Sequence, residues 1–249
     1  FNRTSHSVVL TEDGLLFKRR AQEIVALSEK TKRDFIRGNR ELSGEIGIGC
    51  GEFRSIQIIA QIMKEFKKEH PFVTFQIYSG NSSNIKERIE SGILDIGVIL
   101  DYVDIRKYEY VRIPLSEEWG VLVREDSPLA AMEYVTPQDI RELPLIISER
   151  SMRDNELADW IGKKYEDLNI VSTYNLMYNA AIMVANGMGV AGCIKLDCRY
   201  EGTRFVPARP SVKNNSVFAW KKALSQSQAV SSFIEFSRIY IKRISSNTT

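Results

Sequence analysis

The stretch that decides the fold is Gly-Glu-Ile-Gly-Ile-Gly-Cys-Gly-Glu-Phe-Arg-Ser at residues 44–55, the start of a segment that continues to Leu100. Ile46 and Ile48 alternate with other residues as they do in a half-buried strand. The glycines that follow are expected to loosen the backbone before a helix begins. The stretch therefore predicts a strand that leads into a helix.

The rest of this segment continues the same alternation of elements. Residues 56–66 carry apolar side chains at three- and four-residue steps, which predicts a helix with one buried stripe. Residues 73–77 alternate as a second strand, Ile85 and Ile89 mark a second helix, and residues 95–100 form a third strand. Because each helix crosses back to the same end of the sheet, the strands are expected to be parallel.

Parallel units of this kind bind ligands at the carboxyl ends of their strands, where helix N-termini present free backbone N–H groups. In this segment those ends are residues 50–55 and 80–84. Both loops are therefore candidate site-forming segments.

The composition is that of an ordinary water-soluble protein. The chain has 249 residues and a formal net charge of +2, so overall charge does not indicate nucleic-acid binding. It contains no apolar run long enough to cross a membrane and no secretion signal, which makes a cytoplasmic location without membrane association the expectation. The three cysteines and two histidines lack the spacing of a metal site, and we expect no metal and no cofactor.

The segment before residue 44 predicts a short β-ribbon at residues 1–10 and then a helix to about Arg37. The helix carries a long, narrow stripe, made of Phe17, Ala21, Ile24, Ser28, Thr31 and Phe35. A narrow stripe favours pairing with another helix over packing on a sheet. An ordinary amphipathic helix packed on its own domain is the alternative.

After Leu100 the order of elements restarts. Strands are predicted at residues 119–123, 145–148, 170–173 and 190–194, with loop ends at 148–151 and 173–178. A late strand at 216–220 and a helix at 227–244 are expected to lead the chain back. The predicted division is 1–10, 11–43, a first lobe of 44–100 plus 222–249, and a second lobe of 101–221. Ligands commonly bind between two lobes connected in this way.

The sequence resembles the LysR-type transcriptional regulators over nearly its whole length. The resemblance rests on Thr11-Glu12-Asp13-Gly14, Gly44 to Gly49, Gly92 to Gly97, and Val184 to Ala191. It implies an α/β fold, namely a two-lobe periplasmic-binding-protein-like type 2 effector domain preceded by a long linker helix. It also implies a homodimer or homotetramer that pairs through that helix, a remnant wing at residues 1–10, and DNA reading by an N-terminal winged helix-turn-helix.

The same resemblance implies which residues contact the small-molecule effector. They fall on the loops nominated above and are Glu52, Phe53, Arg54, Ser55, Asn81, Ser82, Leu100, Asp101, Ser148, Arg150, Ser151, Asn175 and Tyr178. Hydroxyls, helix N-termini and arginines suit a carboxylate ligand. Glu52 and Glu149 oppose an anion, however, unless they pair with Arg54 and Arg150. They are also compatible with a cationic or a neutral polyhydroxyl ligand.

Two other classes of protein share this scaffold. A solute-binding protein of a transport system is the alternative function, and it predicts a monomer without a DNA-binding segment. An enzyme is not expected, because no histidine lies near a candidate nucleophile in these loops and no phosphate-binding Gly-Lys-Ser motif occurs.

Overall fold

The computed structural model describes residues 2–3, 8–35, 42–100, 105–149, 156–222 and 226–246. Its helices are α1 (Glu12–Phe35), α2 (Ile56–Glu69), α3 (Ser82–Glu90), α4 (Pro137–Ile140), α5 (Glu156–Ile161), α6 (Met177–Ala185) and α7 (Gln228–Ser246). Its strands are β1 (Asn2–Arg3), β2 (Val8–Val9), β3 (Ser43–Cys50), β4 (Phe72–Ser79), β5 (Ile96–Leu100), β6 (Tyr108–Arg124), β7 (Leu145–Ser148), β8 (Ile170–Tyr174), β9 (Val190–Ile194), β10 (Thr203–Pro207) and β11 (Lys213–Lys221).

The parallel unit predicted from residues 44–100 is confirmed. β3 pairs in parallel with β4 on one side and with β5 on the other. The α2 stripe buries Ile59, Ile62 and Phe66 against this sheet. Each of these side chains contributes about 1.5–3 kcal/mol through removal of apolar surface from water.

Gly49 acts differently from the sequence-based expectation. Gly49 lies inside β3 beside Gly97 of β5, so it does not loosen the backbone before α2. A Cβ on Gly49 would approach the Ile85 side chain to 2.8 Å, and one on Gly97 would approach it to 3.0 Å. The missing side chains therefore allow α3 to pack closely on the sheet.

One sheet path connects all the strands except β1 and β2, in the order β4-β3-β5-β11-β6-β9-β7-β8, with β10 beside β6. The 17-residue strand β6 passes through both halves of this path. Its residues up to Glu118 pair with β11, whereas Trp119 onward pairs with β9. The chain therefore crosses from one half to the other at Glu118–Trp119.

This pairing favours lobe boundaries that differ from the predicted ones. Residues 216–220 of β11 are hydrogen-bonded to β5, and the first part of β6 is paired with β11. Both segments therefore extend the first sheet, although the sequence-based division assigned them to the second lobe. We propose that the first lobe includes them and that the lobes divide at Glu118–Trp119 on the outward crossing and before Lys213 on the return.

The closing helix α7 packs against α2 and β3. Its buried residues include Val230, Phe233 and Ile241. The Phe233 ring lies 5.1 Å from the ring of Phe66 on α2 in an edge-to-face arrangement, a geometry that aromatic pairs favour. The second lobe has its own core on both faces of β7 and β9, which includes Ile146 and Ile147.

Helix α1 contacts the first lobe through one side. Lys30 Nζ lies 2.5 Å from Asp95 Oδ1 and 3.2 Å from the Gly92 carbonyl oxygen. Both side chains of this ion pair are nearly buried, at 11% and 12% exposure. Closer to the start of α1, Arg19 forms a second ion pair with Glu87 of α3. The helix is thus attached to the domain that follows it, which is the alternative given above.

Most of the predicted pairing stripe lies on another side of α1 and is open. Phe17 is 73% and Ile24 is 69% exposed, and Thr31, seven residues beyond Ile24, is also exposed. Ala21 is half-buried, and the side chain of Phe35 lies outside the described residues. One side of the helix therefore packs on its own domain and an apolar side is exposed, while pairing of that side with another helix stays a prediction.

Candidate functional site: a cleft between two lobes

A cavity of about 110 Å³ lies between the two lobes, at the carboxyl ends of β3 and β4. The sequence-predicted site residues that line it are Glu52, Phe53, Asn81, Ser82, Ser148 and Asn175. The first four come from the first lobe and the last two from the second. The structure therefore brings together loops that are about 100 residues apart in the chain. Drug-sized pockets are usually about 300–1,000 Å³, so this cavity is small.

Four predicted residues do not line this cavity. Ser55 and Leu100 are completely buried, and Tyr178 is exposed with its ring facing Tyr200. Arg54 points into a neighbouring cavity between the lobes. Three more, Asp101, Arg150 and Ser151, lie outside the described residues. That any of the thirteen contacts an effector stays a prediction.

The N-terminus of α2 is occupied by a carboxylate of the protein itself. Glu117 is completely buried, and its Oε1 and Oε2 accept hydrogen bonds from the backbone N–H groups of Ser55 at 3.0 Å and Arg54 at 3.2 Å. The positive end of the helix dipole favours an anion at this position. Glu117 thus occupies the helix N-terminus at which the sequence analysis placed a possible anionic ligand.

The N-terminus of α6, across the cleft, is occupied in the same way. Glu52 Oε2 accepts a hydrogen bond from the backbone N–H of Met177 at 2.7 Å. Because Glu52 belongs to the first lobe and Met177 to the second, this bond joins the lobes. It also corrects the suggested Glu52–Arg54 pair, since the carboxylate binds a helix N-terminus instead.

A second polar connection between the lobes lies beside the cleft. Arg54 Nε donates to Asp197 Oδ1 at 2.9 Å, and Gln57 donates to Asp197 Oδ2 at 2.7 Å. Arg54 is therefore committed to an acid of the protein. Asp197 and Glu52 thus each accept a hydrogen bond from the opposite lobe.

The third helix N-terminus at the cleft is capped by its own loop. Asn81 Oδ1 accepts a hydrogen bond from the backbone N–H of Asn84 at 2.9 Å, which is the usual role of asparagine before a helix. The turn before α3 therefore caps the helix with its own side chain. Ser82, the next residue, is buried at the cavity wall.

Sequence reasoning missed the aromatic part of the wall as a site feature. Trp119 and Tyr174 both line the cavity. The Tyr174 hydroxyl donates to the Gly192 carbonyl oxygen at 2.8 Å. With the Asn214 amide oriented to satisfy both of its ends, its oxygen accepts from Trp119 Nε1 at 3.0 Å. The polar ends of both rings are engaged, and the rings supply apolar surface.

The cysteines near the cleft have the environment of inert thiols. Burial raises the pKa of Cys50 to about 12, with a further rise from the nearby Glu117 carboxylate. Burial also raises the pKa of Cys193 to about 12. A thiol with so high a pKa holds little thiolate at neutral pH, so neither residue is a reactive nucleophile.

A larger cavity of about 880 Å³ lies within the second lobe, next to the cleft. Its wall includes Arg199, Tyr200 and Arg204. Burial raises the pKa of Tyr200, and its Cys198 neighbour and the charge of Glu52 act in the same direction. Because this cavity is confined to one lobe, a ligand in it would not bridge the hinge.

Two general absences hold for the described residues only. They include no group of three or more His, Cys, Asp or Glu side chains arranged to hold a metal ion. Their helices also include none with the length and apolar character needed to span a bilayer.

Two α/β lobes joined by two crossing segments, with a cleft between them, define a small-molecule-binding domain of the two-lobe type. Residues 39–240 match the family model of the LysR substrate binding domain. The chain belongs to this family, as its sequence motifs implied.

Known proteins agree with this assignment. An uncharacterised HTH-type transcriptional regulator, YfeR of Shigella flexneri, is 26% identical over 191 residues, which are 76% of this chain and 62% of that protein. The chain thus spans about three fifths of the length of this curated relative. The effector-binding domain of QuiR in complex with shikimate has the same fold, with a TM-score of 0.70 at 19% identity over 81% of this chain and 99% of that one. Full-length CbnR with its target DNA has a TM-score of 0.69 at 17% identity over 94% of this chain and 82% of that one.

Proposed function

We propose that this chain is the effector-sensing and dimer-forming part of a DNA-binding transcriptional regulator, with a small-molecule effector bound in the cleft between the lobes. The observation that carries the proposal is the cleft, where loops of both lobes meet around one cavity. A ligand held by both lobes stabilises the arrangement in which it makes both sets of contacts.

The relation between the cleft and α1 supports a regulatory role. The Lys30–Asp95 pair attaches α1 to the first lobe, and Asp95 Oδ2 also accepts a hydrogen bond from the backbone N–H of Gly47 in β3. β3 ends at Cys50, and residues of the loop that follows it line the cleft. A shift of the first lobe on ligand binding would therefore move α1 and the DNA-reading segments that we propose precede it.

The exposed apolar side of α1 favours a regulator over a solute-binding protein. Phe17 and Ile24 expose most of their surface, which suits a helix that pairs with a second copy of the chain. We propose a homodimer as the basic unit, without catalytic activity and acting in the cytoplasm. The relative that is named as an HTH-type transcriptional regulator supports the same choice.

Filling the cavity tests the proposed site. A screen of small metabolites by thermal shift should first identify a compound that raises the melting temperature, as any ligand of the native state does. In the Ser148→Trp variant that shift should disappear, because a large ring would occupy a cavity of about 110 Å³.

The matched control is Ser83→Trp, since Ser83 is exposed on the first turn of α3 and is not part of the cavity wall. Circular dichroism should show that both variants are folded, and the control should keep the full shift. An undiminished shift in Ser148→Trp would place the ligand outside the cleft and refute the proposed site.

A further inference from the structure

The charges around the cleft restrict the chemistry of its ligand. Among the described residues that line the cavity, Glu52 is the only acidic or basic side chain. The lining contains no described lysine or arginine, and Arg54 is held by Asp197. The fixed charge presented to a ligand by the described wall is therefore negative.

Two of the three helix N-termini at the cleft are occupied by carboxylates of the protein, and the third, that of α3, is capped by the Asn81 side chain. Glu117 accepts hydrogen bonds from the N–H groups at the start of α2, and Glu52 accepts one from the Met177 N–H at the start of α6. A ligand carboxylate at the start of α6 would have to displace Glu52 and would then stand beside it. Two carboxylates in one small site repel each other unless a proton or a cation intervenes.

The remaining wall suits a cation. Glu52 Oε1 makes no hydrogen bond within the part of the chain that the structure describes, so it is available as an acceptor. Phe53, Trp119 and Tyr174 place aromatic rings in the same wall. An ammonium group combines favourably with both features, through a charge-assisted hydrogen bond to the carboxylate and through attraction to ring faces.

We infer that the effector carries a protonated amine, which binds the Glu52 carboxylate within the aromatic wall of the cleft. This inference rests on the proposed function, because it specifies the ligand class of the same site. It also gives Glu52 a role in regulation, since an ammonium at Oε1 would share the carboxylate that joins the lobes through Met177.

Matched probes test the ligand class. Calorimetric titrations would compare n-alkylamines, n-alkanols and n-alkanoates of several equal chain lengths, so that only the head group differs. The amine should bind at least about tenfold more tightly than the alcohol of the same length, and the carboxylate should bind most weakly. Added salt should weaken binding of the amine more than binding of the alcohol, because Glu52 is exposed and its charge is screened by ions.

Two variants distinguish a direct contact between the amine and Glu52 from a general effect of negative charge near the cleft. Glu52→Gln should lose the advantage of the amine over the alcohol. Glu149→Gln removes the same charge from an exposed residue beside Ser148 that does not line the cavity, and it should keep most of that advantage. A preference that is equal in Glu52→Gln and in the original protein would overturn the inference.

The outcomes also distinguish this inference from the proposed site. Tighter binding of the carboxylate, abolished by Ser148→Trp, would overturn the amine inference and leave the cleft as the site. Amine binding that survives Ser148→Trp would refute the cleft itself. Failure of every probe to bind would contradict the amine inference, while a metabolite shift abolished by Ser148→Trp would still support the cleft.

Discussion

The Ile24→Glu variant is expected to raise the dissociation constant of the proposed dimer about a thousandfold. Ile24 is 69% exposed within one chain, so the substitution costs the isolated fold little. In a symmetric helix pair the same residue is buried twice. Each buried, unpaired carboxylate costs about 2 kcal/mol, and the two together account for the expected change.

Sedimentation equilibrium measures this dissociation constant directly. The matched control is Gln22→Glu, which adds the same charge to an exposed position of α1 that points away from Ile24 by nearly half a turn. The control should dimerise normally. If Ile24→Glu associates as tightly as the control, the open apolar side of α1 does not form the dimer.

The Glu117→Gln variant is expected to lower the free energy of unfolding by about 3 kcal/mol. The Glu117 carboxylate offers one oxygen to Ser55 N–H and the other to Arg54 N–H. A glutamine has only one acceptor oxygen, and its NH₂ group would face a backbone donor in a completely buried site. The favourable interaction of the carboxylate with the start of α2 is lost as well.

Urea unfolding followed by circular dichroism gives the difference. The neighbouring Glu118→Gln is the control, because Glu118 forms a partly exposed ion pair with Lys195 at 3.2 Å, and such pairs contribute about 1 kcal/mol or less. An equal or greater stability of Glu117→Gln would show that the cost of burying the charge exceeds its two hydrogen bonds.

The parts of the fold that the sequence predicted are those with strong local periodicity. The α2 stripe and the alternation of β3 depend on side chains a few residues apart, and both are visible without tertiary information. β10 was missed because its residues show no such pattern. Of the five residues of β10 only Val206 is fully buried, so its strand character comes from pairing with β6.

The loops that line the cavity were also predicted in part. The rule that ligands bind at the carboxyl ends of parallel strands located the loops that contain Glu52, Asn81 and Ser148. The partners of the acids were not predictable from local pattern, because Glu117 binds residues about 60 positions away and Glu52 binds Met177, 125 positions away. The Glu117-Glu118 pair directly before an apolar strand was the available signal for an acid inside the fold.

The central claim is that a small molecule binds between the lobes, and NMR mapping of a thermal-shift ligand tests it most directly. The account predicts that the largest chemical-shift changes occur at two N–H groups. One is the Met177 backbone amide, which donates a hydrogen bond to Glu52, and the other is the Trp119 indole N–H in the cleft wall. Changes confined to Arg199, Gly202 and Thr203, in the cavity of the second lobe, with the Met177 and Trp119 signals unmoved, would contradict it.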